Sequence, residues 1–284
     1  NVFVGKAAGD SSTTSTENVA IGVNAMTSAD GTESRNVAIG NDTLYSMNNN
    51  TTNANTAVGS SAGYNITTGT GNTLFGYRAG DAGNFGSATL IGYQAGGAIN
   101  STDADGTVAI GYEAGKAITS GQASVLIGRQ AGQTLTTGDA NTAVGTYALY
   151  HNVTGNYNTA IGRGAGARFL NAESTALGYY AGHYASGSYN TFLGSQAGKG
   201  GTTSAPYSSG TQNTGIGYGA LTAFTTGNYN TAIGVSAADS LTVGNENVAI
   251  GQEALQSATG TLSTVVIGMQ AGYSINSTDA NRTV

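Results

Sequence analysis

Hydrophobic and polar positions recur along this chain with a period that is most often 17 residues. Each repeat contains a triplet made of Val or Thr, a small or apolar residue, and an aliphatic residue or Phe, and the triplet is followed by Gly. A fixed period of this size predicts an architecture of stacked repeats. The sixteen marker glycines that end the triplets are Gly5, Gly22, Gly40, Gly59, Gly76, Gly92, Gly111, Gly128, Gly145, Gly162, Gly178, Gly194, Gly217, Gly234, Gly251 and Gly268.

The triplet has the pattern of a short strand that is buried on both sides. Its first and third residues, such as Thr159 and Ile161, share one face, and its middle residue, such as Ala160, lies on the other. None of the three columns contains a charged residue, which is typical of strands enclosed between two layers. We expect the first and third columns to face the interior of the repeat, and the middle column to pack against other copies of the chain.

Four further columns describe the rest of the repeat. The third residue after the marker is Ala in fifteen repeats, which predicts a site with no room for a larger side chain, and the seventh is often apolar, as at Ile66. Asn precedes the triplet in eleven repeats, as at Asn36, and we expect these amides to bond to the turn and to each other from coil to coil. A turn glycine ten residues after the marker, as at Gly69, predicts positive φ.

The fold predicted by these columns is all-β, a parallel β-roll or β-solenoid of about 16 coils with 17 residues as the commonest coil length. No segment has an apolar stripe at helical spacing, and 46 glycines with only 8 % charged residues are unlike an ordinary soluble domain. We interpret residues 1–284 as a single repetitive segment of a longer chain. The long interval between Gly194 and Gly217 predicts an insertion loop at about residues 199–212.

Charge and composition exclude several partners. The net charge is −6 and the nine Lys and Arg are scattered, so we expect no nucleic-acid partner, which would require a basic stripe. No apolar run is long enough to predict a membrane span, and without Cys no disulfide or thiolate metal site is expected. No motif predicts a cofactor.

One coil offers few apolar side chains to offset the entropy of ordering its backbone. Hydrogen bonds between coils supply part of the difference, and burial of a strand face against sister chains would supply more. The sequence therefore predicts a homo-oligomer assembled around a common axis.

The repeat also resembles known proteins. Asn-Thr-Ala-Ile-Gly at residues 158–162 and 230–234, and Asn-Val-Ala-Ile-Gly at 247–251, each followed by x-x-Ala, resemble the left-handed parallel β-roll heads of trimeric autotransporter adhesins. They are even more similar to the repeats of phage and viral tail-fibre proteins, in which Thr-Thr-Gly separates the units, as at residues 225–227. The resemblance implies a left-handed coil, a homotrimeric rod, and an extracellular location on a virion or bacterial surface with a role in receptor binding.

Chemical motifs are sparse. His151 and His183 are the only histidines and occupy different positions in their repeats, so we interpret them as surface residues and predict no catalytic site. Asp103 and Asp105 lie in a segment whose alternating oxygen ligands resemble the start of a calcium loop. A calcium loop also needs a downstream bidentate Glu, which is missing here. A solvated turn is therefore the simpler interpretation, and calcium stays a weak alternative.

Tyrosines offer the best candidate for a binding surface. Three of them directly follow the marker glycine in successive repeats and are expected to stack in one column, with polar side chains beside them. Such a strip could bind sugar rings or could merely cover the coils. The candidate residues are Tyr77, Tyr93 and Tyr112 with Arg78, Gln94 and Glu113.

Three functional classes stay open, and the sequence favours the first. The first is a structural fibre segment, of adhesin or tail-fibre type, that spaces or presents a surface for a glycan or protein receptor. The second is a monomeric solenoid that binds glycan or ice, although threonines facing inward in the first column would weaken ice binding. The third is a glycan-cleaving tailspike, which needs a pair of carboxylates across a groove, and no column of acidic residues predicts one.

Overall fold

A computed structural model shows a parallel β-solenoid of short strands and turns, and it describes residues 1–48, 53–171, 173–201 and 207–275. Sixteen three-residue strands follow one another in sequence order in one parallel sheet. The predicted all-β fold is confirmed. The strands are β1 Val2–Val4, β2 Val19–Ile21, β3 Val37–Ile39, β4 Thr56–Val58, β5 Thr73–Phe75, β6 Thr89–Ile91, β7 Val108–Ile110, β8 Val125–Ile127, β9 Thr142–Val144, β10 Thr159–Ile161, β11 Thr175–Leu177, β12 Thr191–Leu193, β13 Thr214–Ile216, β14 Thr231–Ile233, β15 Val248–Ile250 and β16 Val265–Ile267.

Two compact units divide the chain, one of residues Asn1–Asn141 and the other of Thr142–Val284. Within each unit, equivalent residues of successive triplets pair directly. In the second unit, for example, Thr159 pairs with Thr142 on one side and with Thr175 on the other. Register is kept because changes in coil length are absorbed by the turns rather than by the strands.

The two faces of the strands are the reverse of the sequence-based expectation. The middle residue points into the coil, and Ala160 is 0 % exposed, whereas Ile161 in the third column is 37 % exposed on the single chain. The first column also points outward, as Thr175 and Thr191 show. The prediction that the aliphatic column lines the interior was therefore wrong.

Interior volume explains this reversal. The coil is narrow, and its inside is shared by the middle strand residue, the Ala three residues after the marker and the apolar residue seven after it. Ala160, Ala165 and Phe169 are all essentially buried in one coil. Small side chains in two of these columns leave space for the larger third one, so close packing is reached without a wide coil.

Asparagines form the predicted ladder inside the coils. Asn213, Asn230 and Asn247 are buried. The Asn213 Oδ1 accepts a hydrogen bond from the backbone N–H of Asn230 at 3.0 Å, and the Asn230 Oδ1 accepts one from the backbone N–H of Asn247 at 3.1 Å. The Asn230 amide also donates to the carbonyl of Gly244 at 2.8 Å. A buried polar column is stable here because its donors and acceptors have partners in the adjacent coils.

Glycine performs two different tasks. The sixteen marker glycines have φ between +124° and +139°, a region essentially restricted to Gly. The turn glycines at the tenth position do not have positive φ, contrary to our expectation. At Gly227, for example, Gly is required because a Cβ would collide with the carbonyl oxygen of Gly244 in the next coil.

The predicted insertion lies partly outside the described residues, which exclude 202–206. On its N-terminal side Gly201 still donates a backbone hydrogen bond to Phe224. On its C-terminal side Ser208 is bridged to Ala185. Both described ends of the predicted loop therefore belong to the ladder of the solenoid.

Replacement of a marker glycine tests the coil corner. We expect Gly162→Ala to lower the free energy of unfolding by about 3 kcal/mol, because its φ of +132° suits only Gly. The new Cβ would also collide with the carbonyl of Gly178. Urea unfolding at one protein concentration measures the change. Gly260→Ala is the matched control because that position has ordinary φ and only a 3.4 Å contact, and equal losses in both variants would contradict the argument.

Replacement of one ladder asparagine tests the buried hydrogen bonds. We expect Asn230→Ala to lower the free energy of unfolding by about 2–4 kcal/mol, because two buried backbone groups, the Asn247 N–H and the Gly244 carbonyl, lose their partner. Asn65→Ala, at an exposed position, is the control. A loss no greater than in this control would show that the ladder adds nothing to stability.

Candidate functional site

The tyrosine strip forms as predicted in the first unit. The Tyr77 and Tyr93 ring centroids are 5.4 Å apart, those of Tyr93 and Tyr112 are 5.2 Å apart, and both pairs are stacked. Each ring is 42–46 % exposed. Consecutive coils therefore present a continuous aromatic surface with a spacing set by the parallel sheet.

The polar neighbours of the strip differ in their availability. Arg78 is exposed and forms a 3.2 Å ion pair with Asp81, with its guanidinium 5.8 Å from the Tyr77 ring centroid. Gln94 is half-buried and its backbone N–H donates to Tyr77 at 2.9 Å. Arg78 can reach a ligand on the strip through solvent, whereas Gln94 is partly committed to the turn.

Glu113 is engaged within the protein. It is 8 % exposed, and its carboxylate accepts hydrogen bonds from Lys116 at 2.7 Å, Gln130 at 2.8 Å and Gln133 at 2.6 Å. The bond from Lys116 is the main cause that lowers the pKa of Glu113, and the same bond raises the pKa of Lys116. Through these hydrogen bonds the Glu113 side chain fixes the turn beside Tyr112.

The calcium candidates are only partly described. The side chain of Asp103 lies outside the described part of the structure, as does the similar segment at 276–281. The Asp105 carboxylate accepts a hydrogen bond from the backbone N–H of Gly86 at 2.5 Å. Across the described residues, no group of three or more His, Asp or Glu could hold a metal ion.

An aliphatic face runs along the strands of each unit. It consists of the outward-pointing first and third strand columns, and it contains no charged residue. In the second unit Leu177 and Leu193 are each 41 % exposed, similar to Ile161. Six successive coils place Thr in the first column, namely Thr142, Thr159, Thr175, Thr191, Thr214 and Thr231.

The second unit also contains a groove that the sequence did not predict. It is a cavity of about 320 Å³ formed by the turns that follow β9, β10 and β11. Both histidines of the chain line it, although they occupy different positions in their repeats. The lining residues are Tyr147, Tyr150, His151, Ala167, Arg168, Tyr180 and His183.

Aromatic contacts order the walls of this groove, which we call the His-Tyr groove. The His151 ring packs edge-on against Tyr150 at 4.6 Å, and the His183 ring packs against Tyr180 and Tyr184, each at 4.5 Å. His183 Nδ1 lies 2.8 Å from the Gly164 carbonyl oxygen. Since a carbonyl only accepts, Nδ1 bears the proton and Nε2 is the acceptor nitrogen when the ring is neutral.

The groove carries positive charge. Burial is the main cause that lowers the pKa of both histidines, and the nearby Arg168 guanidinium lowers each pKa further. Lys199 adds to the effect on His183, and His183 to that on His151. Both rings are therefore neutral at pH 7, next to an arginine that is always charged.

The sequence contained one weak signal for this groove. His151 and Arg168 are the sixth residues after their markers, while His183 and Lys199 are the fifth after theirs. A column-by-column comparison places these residues in two different columns, the fifth and the sixth after the marker. When coils stack, however, side chains from these two adjacent columns can meet. A search for cationic and aromatic residues over the whole turn would have found the cluster.

Comparisons with known proteins leave the family open. No protein-family model matches the sequence, and no curated protein has significant similarity to it. Within the described residues, the structure contains no helix with the length and hydropathy needed to cross a membrane. The solenoid itself and its exposed surfaces are therefore the basis for a functional proposal.

Proposed function

We propose that this chain is a structural segment of a fibre, of adhesin or tail-fibre type, whose coils associate with sister chains and space or present a receptor-binding surface. The observation that supports this most directly is the aliphatic face. Side chains such as Ile161 and Leu177 are more than one-third exposed on the single chain, and they recur in coil after coil.

An exposed apolar column of this length marks an interaction surface. Single exposed aliphatic residues are normal on a protein surface, but contiguous apolar patches mark interaction sites. A second copy of the chain fits this face best, because its own columns have the same spacing and no charge to desolvate. The face assigned to sister chains is thus the aliphatic face, not the Ala column that the sequence suggested.

The resemblance to adhesin heads and tail-fibre repeats supports the finer parts of the proposal. It favours a homotrimer, a left-handed coil and an extracellular location on a virion or a bacterial surface. The proposed role is structural rather than catalytic, because the residues that recur in every coil serve packing and hydrogen bonding. A glycan or protein receptor would be bound by the turns, which vary from coil to coil.

Native mass tests the proposal. We expect light scattering to give the mass of three chains at micromolar concentration, because the aliphatic faces are buried together. The double variant Ile161→Glu with Leu177→Glu is expected to reduce the mass toward one chain, since charged residues would be desolvated in the interface. Circular dichroism checks that the solenoid stays folded, because both side chains point out of the coil.

A control variant tests whether the loss of mass depends on the aliphatic face. Val243→Glu introduces the same charge at a residue that is 52 % exposed but lies outside the strand columns, and it should leave the mass unchanged. A monomeric wild type would overturn the proposal. So would a wild-type oligomer that the double variant does not weaken.

The same face supports a second candidate, a monomer that binds ice. Six successive outward threonines beside aliphatic side chains form a regular array at the spacing of parallel strands. The sequence-based argument against ice binding placed these threonines inward, and that placement was wrong. A monomeric wild type with measurable thermal hysteresis, lost in Thr175→Lys, would favour this candidate over the fibre.

The tyrosine strip is proposed as a glycan-binding surface of the segment. We expect Tyr93→Ala to weaken binding on an array of neutral glycans about fivefold, because the central ring of the stack is removed. Tyr218→Ala is the matched control, since Tyr218 also follows its marker glycine directly and is exposed. Equal binding by both variants, or no binding by the wild type, ends the proposal for the strip.

A further inference from the structure

We propose that the His-Tyr groove binds an anionic saccharide, one that presents a carboxylate or sulfate group to Arg168 and a sugar ring to the tyrosines. This inference is independent of the fibre proposal, because every residue that forms the groove comes from one chain. It also uses none of the residues of the tyrosine strip, which belong to the other unit.

The distribution of charge is the first argument. The chain is acidic overall, yet the three cationic side chains within the described part of the second unit are all in or beside this groove, namely Arg163, Arg168 and Lys199. Among the described residues, neither arginine forms an ion pair with a carboxylate, and both guanidinium groups lie over tyrosine rings. The groove thus concentrates positive charge that the fold itself does not neutralise.

The placement of acidic residues points in the same direction. The acidic residues in the described part of the second unit are Glu173, Asp239, Glu246 and Glu253, and none of them lines the groove. An anion that enters the groove therefore meets Arg168 without a competing carboxylate. Guanidinium groups bind carboxylate and sulfate oxygens through charge-assisted hydrogen bonds.

The aromatic walls indicate that the anion belongs to a saccharide. Tyr147, Tyr150 and Tyr180 are half-buried, and their ring faces and hydroxyls supply both apolar contact and hydrogen bonds. The Arg168 guanidinium lies 4.3 Å from the centroid of the Tyr207 ring, which restricts its orientation. A free inorganic anion would use the arginine alone, whereas a sugar ring with a charged substituent would use the whole cavity of about 320 Å³.

Binding of defined saccharides to the full chain tests the assignment. The probes are 3′-sialyllactose, a sulfated heparin octasaccharide, lactose and inorganic sulfate, each measured by calorimetry at low salt. We expect one or both charged saccharides to bind and lactose to bind far more weakly. Arg168→Gln should weaken that binding by about tenfold or more, because a charge-assisted hydrogen bond is lost.

Matched variants distinguish binding in the groove from a general effect of the charge of the protein. Arg163 is exposed and its guanidinium lies 5.8 Å from the ring centroid of Tyr180, which lines the groove. Lys6 is also exposed and also directly follows a marker glycine, in the first coil of the chain. We expect Arg163→Gln to weaken saccharide binding and Lys6→Gln, which removes the same charge, to leave it unchanged. Because these two residues are exposed, both variants should fold, and circular dichroism confirms this for each.

Several outcomes would overturn the proposal. They are no binding of either charged saccharide, binding that Arg168→Gln and Arg163→Gln do not reduce, equal binding of lactose, and binding of inorganic sulfate with an affinity equal to that of the saccharides. Light scattering of the same samples reports the oligomeric state separately. A trimer that does not bind the saccharides would overturn only the groove proposal. A monomer that binds them would overturn only the fibre proposal.

The histidines provide an independent readout. His151 faces Arg168 and His183, and His183 faces Arg168, Lys199 and the Gly164 carbonyl. Both rings are neutral at pH 7 and gain positive charge as the pH falls through their lowered pKa values. The affinity for a sulfated saccharide, which stays ionised, should therefore rise as the pH is lowered from 7 through the pKa values of the two rings. A double His151→Gln, His183→Gln variant should lose this dependence, and an unchanged pH profile would contradict the assignment.

Discussion

The hydrogen-bond ladder between successive coils depends on one backbone corner, the marker glycine. In the coils where the approach is described, as at Gly162, the Cα faces the carbonyl of the next marker so closely that no Cβ fits. Its φ between +124° and +139° in all sixteen copies is open to Gly alone. Because the corner has the same geometry in every coil, the three strand residues before it pair in register even where the connecting turns differ in length.

A narrow closed coil then decides which side chains lie inside. Ala in two columns and Asn in a third are small enough to share the interior with one larger apolar residue, and the asparagines hydrogen-bond from coil to coil. The aliphatic strand residues are displaced to the outer face. The same constraint that stabilises a single coil thereby creates the apolar surface that we assign to sister chains.

The turns differ from coil to coil, whereas the strands are nearly the same in every coil. Their lengths vary without disturbing the register, so they can collect residues that would not be tolerated in the ladder. In the first unit this variation produces the stacked tyrosines. In the second it produces a cationic and aromatic groove from three successive turns. The repeated columns form the scaffold, and turn residues that depart from the repeat form the candidate sites.

The sequence by itself determined the all-β stack, the strand positions, the in-register columns, the asparagine ladder and the stacking of Tyr77, Tyr93 and Tyr112, because each follows from a fixed period. Only the tertiary structure decided which strand face is interior, since alternation separates two faces without stating which one encloses the smaller volume. It alone also brought His151, Arg168 and His183 together. Their contact arises because adjacent positions on stacked turns meet, which no single column records.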